Sequence, residues 1–206
     1  MNTLLKTVAS TLLIACAPAT FAASTVDLTV TGLITPNSCT PTLSGGGQVD
    51  YGKISAKDLK TNNPTHLGSQ TLQMTVNCDA PIQFALNAID NRPGTAAFSN
   101  RYGLGLINGS QPFGGYNLML RSPVADTVAV QPIASYDKGT TWGAEYIWEP
   151  GLYMSVGAMS DDTQPLPVQN LTVDLQVETS IARTDGLDLS NEVLIDGSAT
   201  LEVKYL

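Results

Sequence analysis

Apolar residues recur at every second position along much of this chain, the period of a half-buried β-strand. Val26, Leu28 and Val30 alternate with Asp27, Thr29 and Thr31, and the run closes after Gly32 on Leu33 and Ile34. Leu72, Met74, Val76 and Cys78 alternate with Gln73, Thr75 and Asn77, and Ile82, Phe84, Leu86 and Ala88 carry the pattern past Pro81. Further strands are predicted at 49–54, 102–107, 116–121, 127–133, 152–158, 171–179 and 198–205. Turn chemistry separates them: Ser44-Gly45-Gly46-Gly47, Asp90 to Gly94, Asn108-Gly109, Gly114-Gly115, Lys138-Gly139 and Asp185-Gly186. No helical period is sustained beyond the first residues, and no repeat or linker divides the rest. About ten short strands spaced by turns predict one all-β domain, a β-sandwich.

Composition narrows the function. The 206 residues are 43% hydrophobic, enough for a core, but only 14% charged, with 18 Gly and 12 Pro. The formal net charge of −8 comes without a basic cluster, which excludes a phosphate-binding surface and hence a nucleic-acid partner. The first residues read as an export signal. Lys6 supplies the positive region, Val8 to Ala15 the apolar one, and Thr20 and Ala22 the small-residue cleavage site. Residues 1–22 are then a signal peptide and 23–206 the domain. Leu13-Ile14-Ala15-Cys16 also fits a lipoprotein box, which makes an outer-membrane lipoprotein the second reading of the address. Either way Cys39 and Cys78 remain as an even pair, and in an oxidising compartment the expectation is a disulfide. Closing a loop of about 40 residues contributes roughly 4 kcal/mol in the chain-entropy model. Metal binding is the rival reading, but two cysteines without a nearby His make a poor zinc site.

Four blocks in this order resemble the subunits of chaperone–usher pili. They are Gly32-Leu33-Ile34 ahead of Cys39; Gln48 to Ile54 with Leu59; Leu72 to Cys78; and Gly197 to Leu206 with its penultimate Tyr205. The likeness also extends to uncharacterised exported fimbrial-like proteins of Gram-negative bacteria; residues 95–164 match little. It implies an immunoglobulin-like sandwich missing its last strand and completed by a strand from elsewhere. The partners implied are a periplasmic chaperone, an outer-membrane usher and neighbouring pilin subunits. The route implied runs through the periplasm to a cell-surface fimbria that contributes to adhesion. On that reading residues of about 24–34 form a donor strand with Val26, Leu28, Val30 and Ile34 as knobs and Gly32 at a shallow pocket. Leu201, Val203 and Tyr205 would line the groove and pair with the chaperone, and the Leu206 carboxylate would meet its basic anchor. The alternative is an exported, self-complete sandwich, adhesin-like or a lipoprotein, in which Val26 to Ile34 is the first strand of its own sheet.

Catalysis finds little support. His66 is the only His and is expected in a solvated loop, and Asp161-Asp162 reads as a turn rather than a glycosidase pair. No cofactor or metal is expected. Trp142, Tyr146, Trp148 and Tyr153, interleaved with Glu145 and Glu149, offer two readings. Aromatic faces beside carboxylates suit a host or surface glycan, whereas a buried Trp is a common core element of immunoglobulin-like sandwiches.

Overall fold

The computed structural model describes residues 28–32 and 38–206. The chain divides into two compact units, Met1–Ile34 and Thr35–Leu206. In the first, residues 28–32 have no regular secondary structure, and Leu28 and Val30 are 87% and 86% exposed. The signal peptide, Cys16, Val26 and Ile34 lie outside the described residues. The strand expected across 26–34 is thus absent from the part that is described.

The second unit is all β. Its strands are β1 (Cys39–Leu43), β2 (Thr65–Ile82), β3 (Phe84–Asp90), β4 (Leu106–Ile107) and β5 (Gln111–Pro112). They continue with β6 (Gly114–Ala125), β7 (Val128–Ala129), β8 (Gln131–Ser135) and β9 (Gly143–Ala144). Last come β10 (Ile147–Trp148), β11 (Tyr153–Gly157), β12 (Val168–Ile181) and β13 (Ala199–Tyr205). One antiparallel sheet runs β1-β2-β12-β6-β10, with β7 on β6; the other runs β13-β3-β11-β8-β9. β4 and β5 form a separate hairpin.

Alternation explains the packing. On β12 Leu171, Val173, Leu175 and Val177 are buried, and on β3 Phe84, Leu86 and Ala88 are buried, so the inner faces of the two sheets share one core. Met74, Leu86, Leu120, Trp148 and Met154 sit at its centre. Cys39 and Cys78 are cross-strand partners of β1 and β2 and are joined by a disulfide. The disulfide fits an exported protein in an oxidising compartment.

Local chemistry sets the connections. Gly45, Gly46 and Gly47 all take positive φ, which lets the chain turn after β1 at almost no steric cost. After β3, Asp90 accepts hydrogen bonds from the N–H groups of Arg92 (2.9 Å) and Gly103 (3.0 Å). Gly103 is required there, because a Cβ would stand 2.1 Å from Thr95 Oγ1 and 2.4 Å from the Arg92 carbonyl.

The structure corrects several sequence expectations. Residues 49–54 form no strand, although their pattern is strand-like; among the described residues their backbone makes no ladder hydrogen bonds. Of 102–107 only Leu106 and Ile107 are strand, and Tyr102 makes an isolated bridge to Tyr116. The stretch 127–133 is broken at Val130 into β7 and β8. His66 belongs to β2 rather than to a loop.

Candidate functional site

The two sheets part along one flank. There β13 is an outer strand, paired through Ala199–Tyr205 with Asp90–Phe84 of β3 and, among the described residues, with no strand on its other side. Facing it, β1 covers only the Cys78–Met74 stretch of β2. The chain then turns and continues as Gln48–Ser55, extended at both of those residues but outside any ladder. Within residues 48–54 only two N–H groups have a partner among the described residues. Gln48 donates to the Gly45 carbonyl (3.4 Å) and Gly52 to Asp50 Oδ1 (2.7 Å).

An apolar cleft lies between these walls. One part, of about 240 Å³, is lined by Leu43, Tyr51, Leu72, Leu175, Val177 and Leu201. A wider part, of about 800 Å³, is lined by Ile54, Leu59, Phe113, Ile181 and Leu189. Val49, Tyr51 and Ile195 belong to both, so the two form one groove. The Tyr51 hydroxyl donates to the Val177 carbonyl across its floor (3.4 Å). Toward the disulfide, β1 and β13 are tied together by the Tyr205 hydroxyl, which accepts the Cys39 N–H at 2.9 Å. The 193–197 rim is fixed by a bond from the Asp196 N–H to the Leu104 carbonyl (3.0 Å) and by the Arg92–Asp196 ion pair (2.7 Å).

The residues expected at a groove fall as follows. Leu201 lines it, Val203 is half-buried against the core, and Tyr205 bonds the Cys39 N–H beyond its lining. Leu206 is half-exposed, and its N–H donates to the Gln83 carbonyl at 3.3 Å. Between them Lys204 pairs with Glu202 at 2.8 Å, and Asn87 donates to the same carboxylate at 2.7 Å. Those two hydrogen-bonding partners hold the Glu202 carboxyl below its ordinary range. A Cβ added at Gly32 would meet nothing within 4 Å.

The aromatic cluster is not one surface. Trp148 is fully buried, its indole N–H donating to the Leu152 carbonyl at 3.1 Å, so it offers nothing to a glycan. That corrects its place among candidate ligand aromatics: β10 sets the side chain inward against Leu118 of β6 and its neighbours. Trp142 is half-buried and donates to the Gly139 carbonyl (3.2 Å). Tyr146 lies under the Arg121 guanidinium (4.0 Å), and Tyr153 under Lys138 Nζ (4.6 Å). Glu145 accepts the N–H groups of Tyr146 and Ile147, each at 2.8 Å, and is committed to its own turn.

Asp161 is likewise a turn residue, accepting the Thr163 hydroxyl at 2.6 Å and N–H at 2.9 Å, and the hydroxyl bond holds its carboxyl low. Asp162 accepts the Ala144 N–H instead (3.1 Å). His66 Nδ1 shares a hydrogen bond of 2.8 Å with the buried Ser180 hydroxyl, to which Arg101 also donates at 3.1 Å. Among the described residues no three His, Cys, Asp or Glu converge on a metal position.

Sequence reasoning missed Tyr51, Leu72, Leu175 and Val177 as groove residues. The signal available was the strand-like run at 49–54 beside a glycine turn.

Residues 28–116 match a family described as "Protein of unknown function (DUF1120)". The chain is also 27% identical over 223 aligned residues to the uncharacterized protein YhcF of Escherichia coli strain K12, covering 90% of this chain and 92% of that one. It is 25% identical over 223 to protein GltF of the same strain, covering 87% and 88%. The family match spans β1, β2 and β3, and with them one wall of the groove.

Proposed function

We propose that this protein is a structural subunit of a surface fimbria, an immunoglobulin-like sandwich one strand short, whose groove receives a strand from another polypeptide. The observation that carries this reading is the state of the two walls. Among the described residues β13 has no strand on its outer edge, most N–H groups of residues 48–54 have no partner, and an apolar floor lies between the two. Exposed strand edges over apolar surface promote aggregation, so such a groove needs an occupant. One added strand would satisfy both walls by backbone hydrogen bonds and fill the floor with alternate side chains.

Length and pattern match the N-terminal segment. Seven-residue β13 spans about 23 Å, and Val26 to Ile34 would span about 30 Å when extended. Exposed Leu28 and Val30 are available for such an exchange. During transit a periplasmic chaperone holds the groove, and at the outer-membrane usher a neighbouring subunit's segment takes its place.

Peptide capture tests the reading. A variant lacking residues 23–31 should bind a synthetic peptide of residues 24–34, and Leu201→Asp should weaken capture at least tenfold. A full-length chain that refolds alone, stays monomeric at high concentration and never takes up the peptide is instead a self-complete sandwich, and that result overturns the proposal.

A further inference from the structure

The described residues leave few large apolar side chains in water, and five of them stand at the two poles of the sandwich. At the disulfide pole a hydrogen-bond path links the start of β1 to the β6–β7 hairpin. Ser38 and Asp79 bond each other twice, through Ser38 N–H to Asp79 Oδ2 (3.0 Å) and Asp79 N–H to the Ser38 carbonyl (2.9 Å). Gln169 donates to the Asp79 carbonyl (3.4 Å) and its N–H to Asp126 Oδ2 (3.1 Å), at the tip of that hairpin. Val124 and Val128 flank Asp126, and Val128 is 63% exposed. Next on the rim, Gln131 donates to the Ala158 carbonyl (2.7 Å), beside Met159, which is 67% exposed. At the opposite pole, where β2 begins and β12 ends, the wide part of the groove opens between Ile54 and Leu194, the latter 77% exposed.

We infer that these two poles form a head-to-tail joint between successive copies of this chain: Val124, Val128 and Met159 of one against Ile54 and Leu194 of the next. The inference rests on the strand-exchange reading above, and chain length carries it further. Only Thr35 to Ser38 separate Ile34 from Cys39. Five residue steps reach no more than about 18 Å. Once Ile34 of one copy is seated in a neighbour's groove, the disulfide pole of that copy is held against the neighbour. At the disulfide end the Tyr205–Cys39 bond ties β1 to β13, while the groove opens between Ile54 and Leu194, so the strand leaves by that other end. The two patches differ, so the contact is heterologous and propagates as a filament instead of closing into a dimer.

Charge exchange at the poles tests the joint on the full-length chain, with self-association read by analytical ultracentrifugation and capture of a labelled peptide of residues 24–34 read in parallel. Val128→Lys, which lies outside the groove, should weaken self-association at least tenfold while leaving peptide capture within twofold of the wild type, and Leu194→Asp, at the mouth of the groove, should weaken self-association at least tenfold as well. The double variant should recover most of the loss, because opposite charges then meet across the joint. If the peptide is captured but neither substitution changes association, or the double variant shows no recovery, the joint is wrong and strand exchange stands. If the peptide is not captured at all, strand exchange fails and the joint falls with it.

Discussion

The two flanks of the sandwich carry similar side chains and end in opposite states. On the far flank β10 is laid on β6 and β9 on β8, and Trp148 is sealed inside with its N–H bonded. On the near flank Leu201 and Val203 are only half-buried, and among the described residues no strand pairs with the outer edge of β13. Apolar content does not separate the two. What separates them is whether, among the described residues, a neighbouring backbone arrives to complete the ladder, and an exposed strand edge left without one is a template for further pairing.

The contrast is broken most severely at Trp148. Trp148→Ala should destabilise the fold by about 3–5 kcal/mol through the lost burial and the cavity it leaves. Urea or thermal melts followed by near-ultraviolet circular dichroism check this, and an unchanged melting temperature would mean that the far flank is not held by its core. A smaller effect is expected where β1 and β13 are tied together on the near flank. Tyr205→Phe keeps the ring and removes the acceptor of the Cys39 N–H, which should cost about 0.5–1.5 kcal/mol. The same melts measure it, and faster amide exchange at Cys39 should accompany the loss.

The smallest effect sharpens the comparison through pH. Asp137, in the loop between β8 and β9, has its carboxyl pKa lowered to about 2, first by the Thr141 N–H and then by the Ser135 and Thr141 hydroxyls. A depressed carboxylate contributes its stability in full above the unfolded-state value of about 3.9, and loses it as pH falls through the folded-state value. The far flank should therefore weaken between about pH 4 and pH 2. Asp137→Asn should flatten that part of a plot of melting temperature against pH without abolishing it. Asp126, Asp161, Asp188 and Glu202 are also held low by hydrogen bonds and contribute to the same slope.

Much of the fold was legible because alternation reports burial on one face directly. The strands holding Met74 and Val76, Phe84 and Leu86, and Leu171 to Val177 are where their periods put them. β2 extends seven residues earlier than its apolar run, since Thr65 to Thr71 are held by backbone pairing to β12 rather than by side-chain burial. His66 was misjudged for the same reason. Residues 49–54 fail in the opposite sense: their side chains have the pattern of a strand and their backbone lacks a ladder partner among the described residues, a fact no single segment encodes. Trp142 and Trp148 look alike in sequence, and only the pairing of β10 with β6 decides that one is core and the other half-exposed. Of the residues expected at a groove only Leu201 lines the cleft, whose floor is assembled from β2, β12 and the 48–55 stretch and belongs to no local motif.

The hydrogen bond between Cys39 and Tyr205 also bears on the timing of folding. It joins residues 166 positions apart, and the Asn87–Glu202 contact on the same flank spans 115. The disulfide spans only 39. Contacts so far apart in sequence form slowly, because a long loop must close before any of them stabilises the chain. The β1–β2 hairpin and its disulfide can therefore be in place while β3 still lacks β13 beside it. The wall that β1 contributes to the groove is early and covalently fixed, and the wall that β13 contributes is late, so the groove comes into being only near the end of folding.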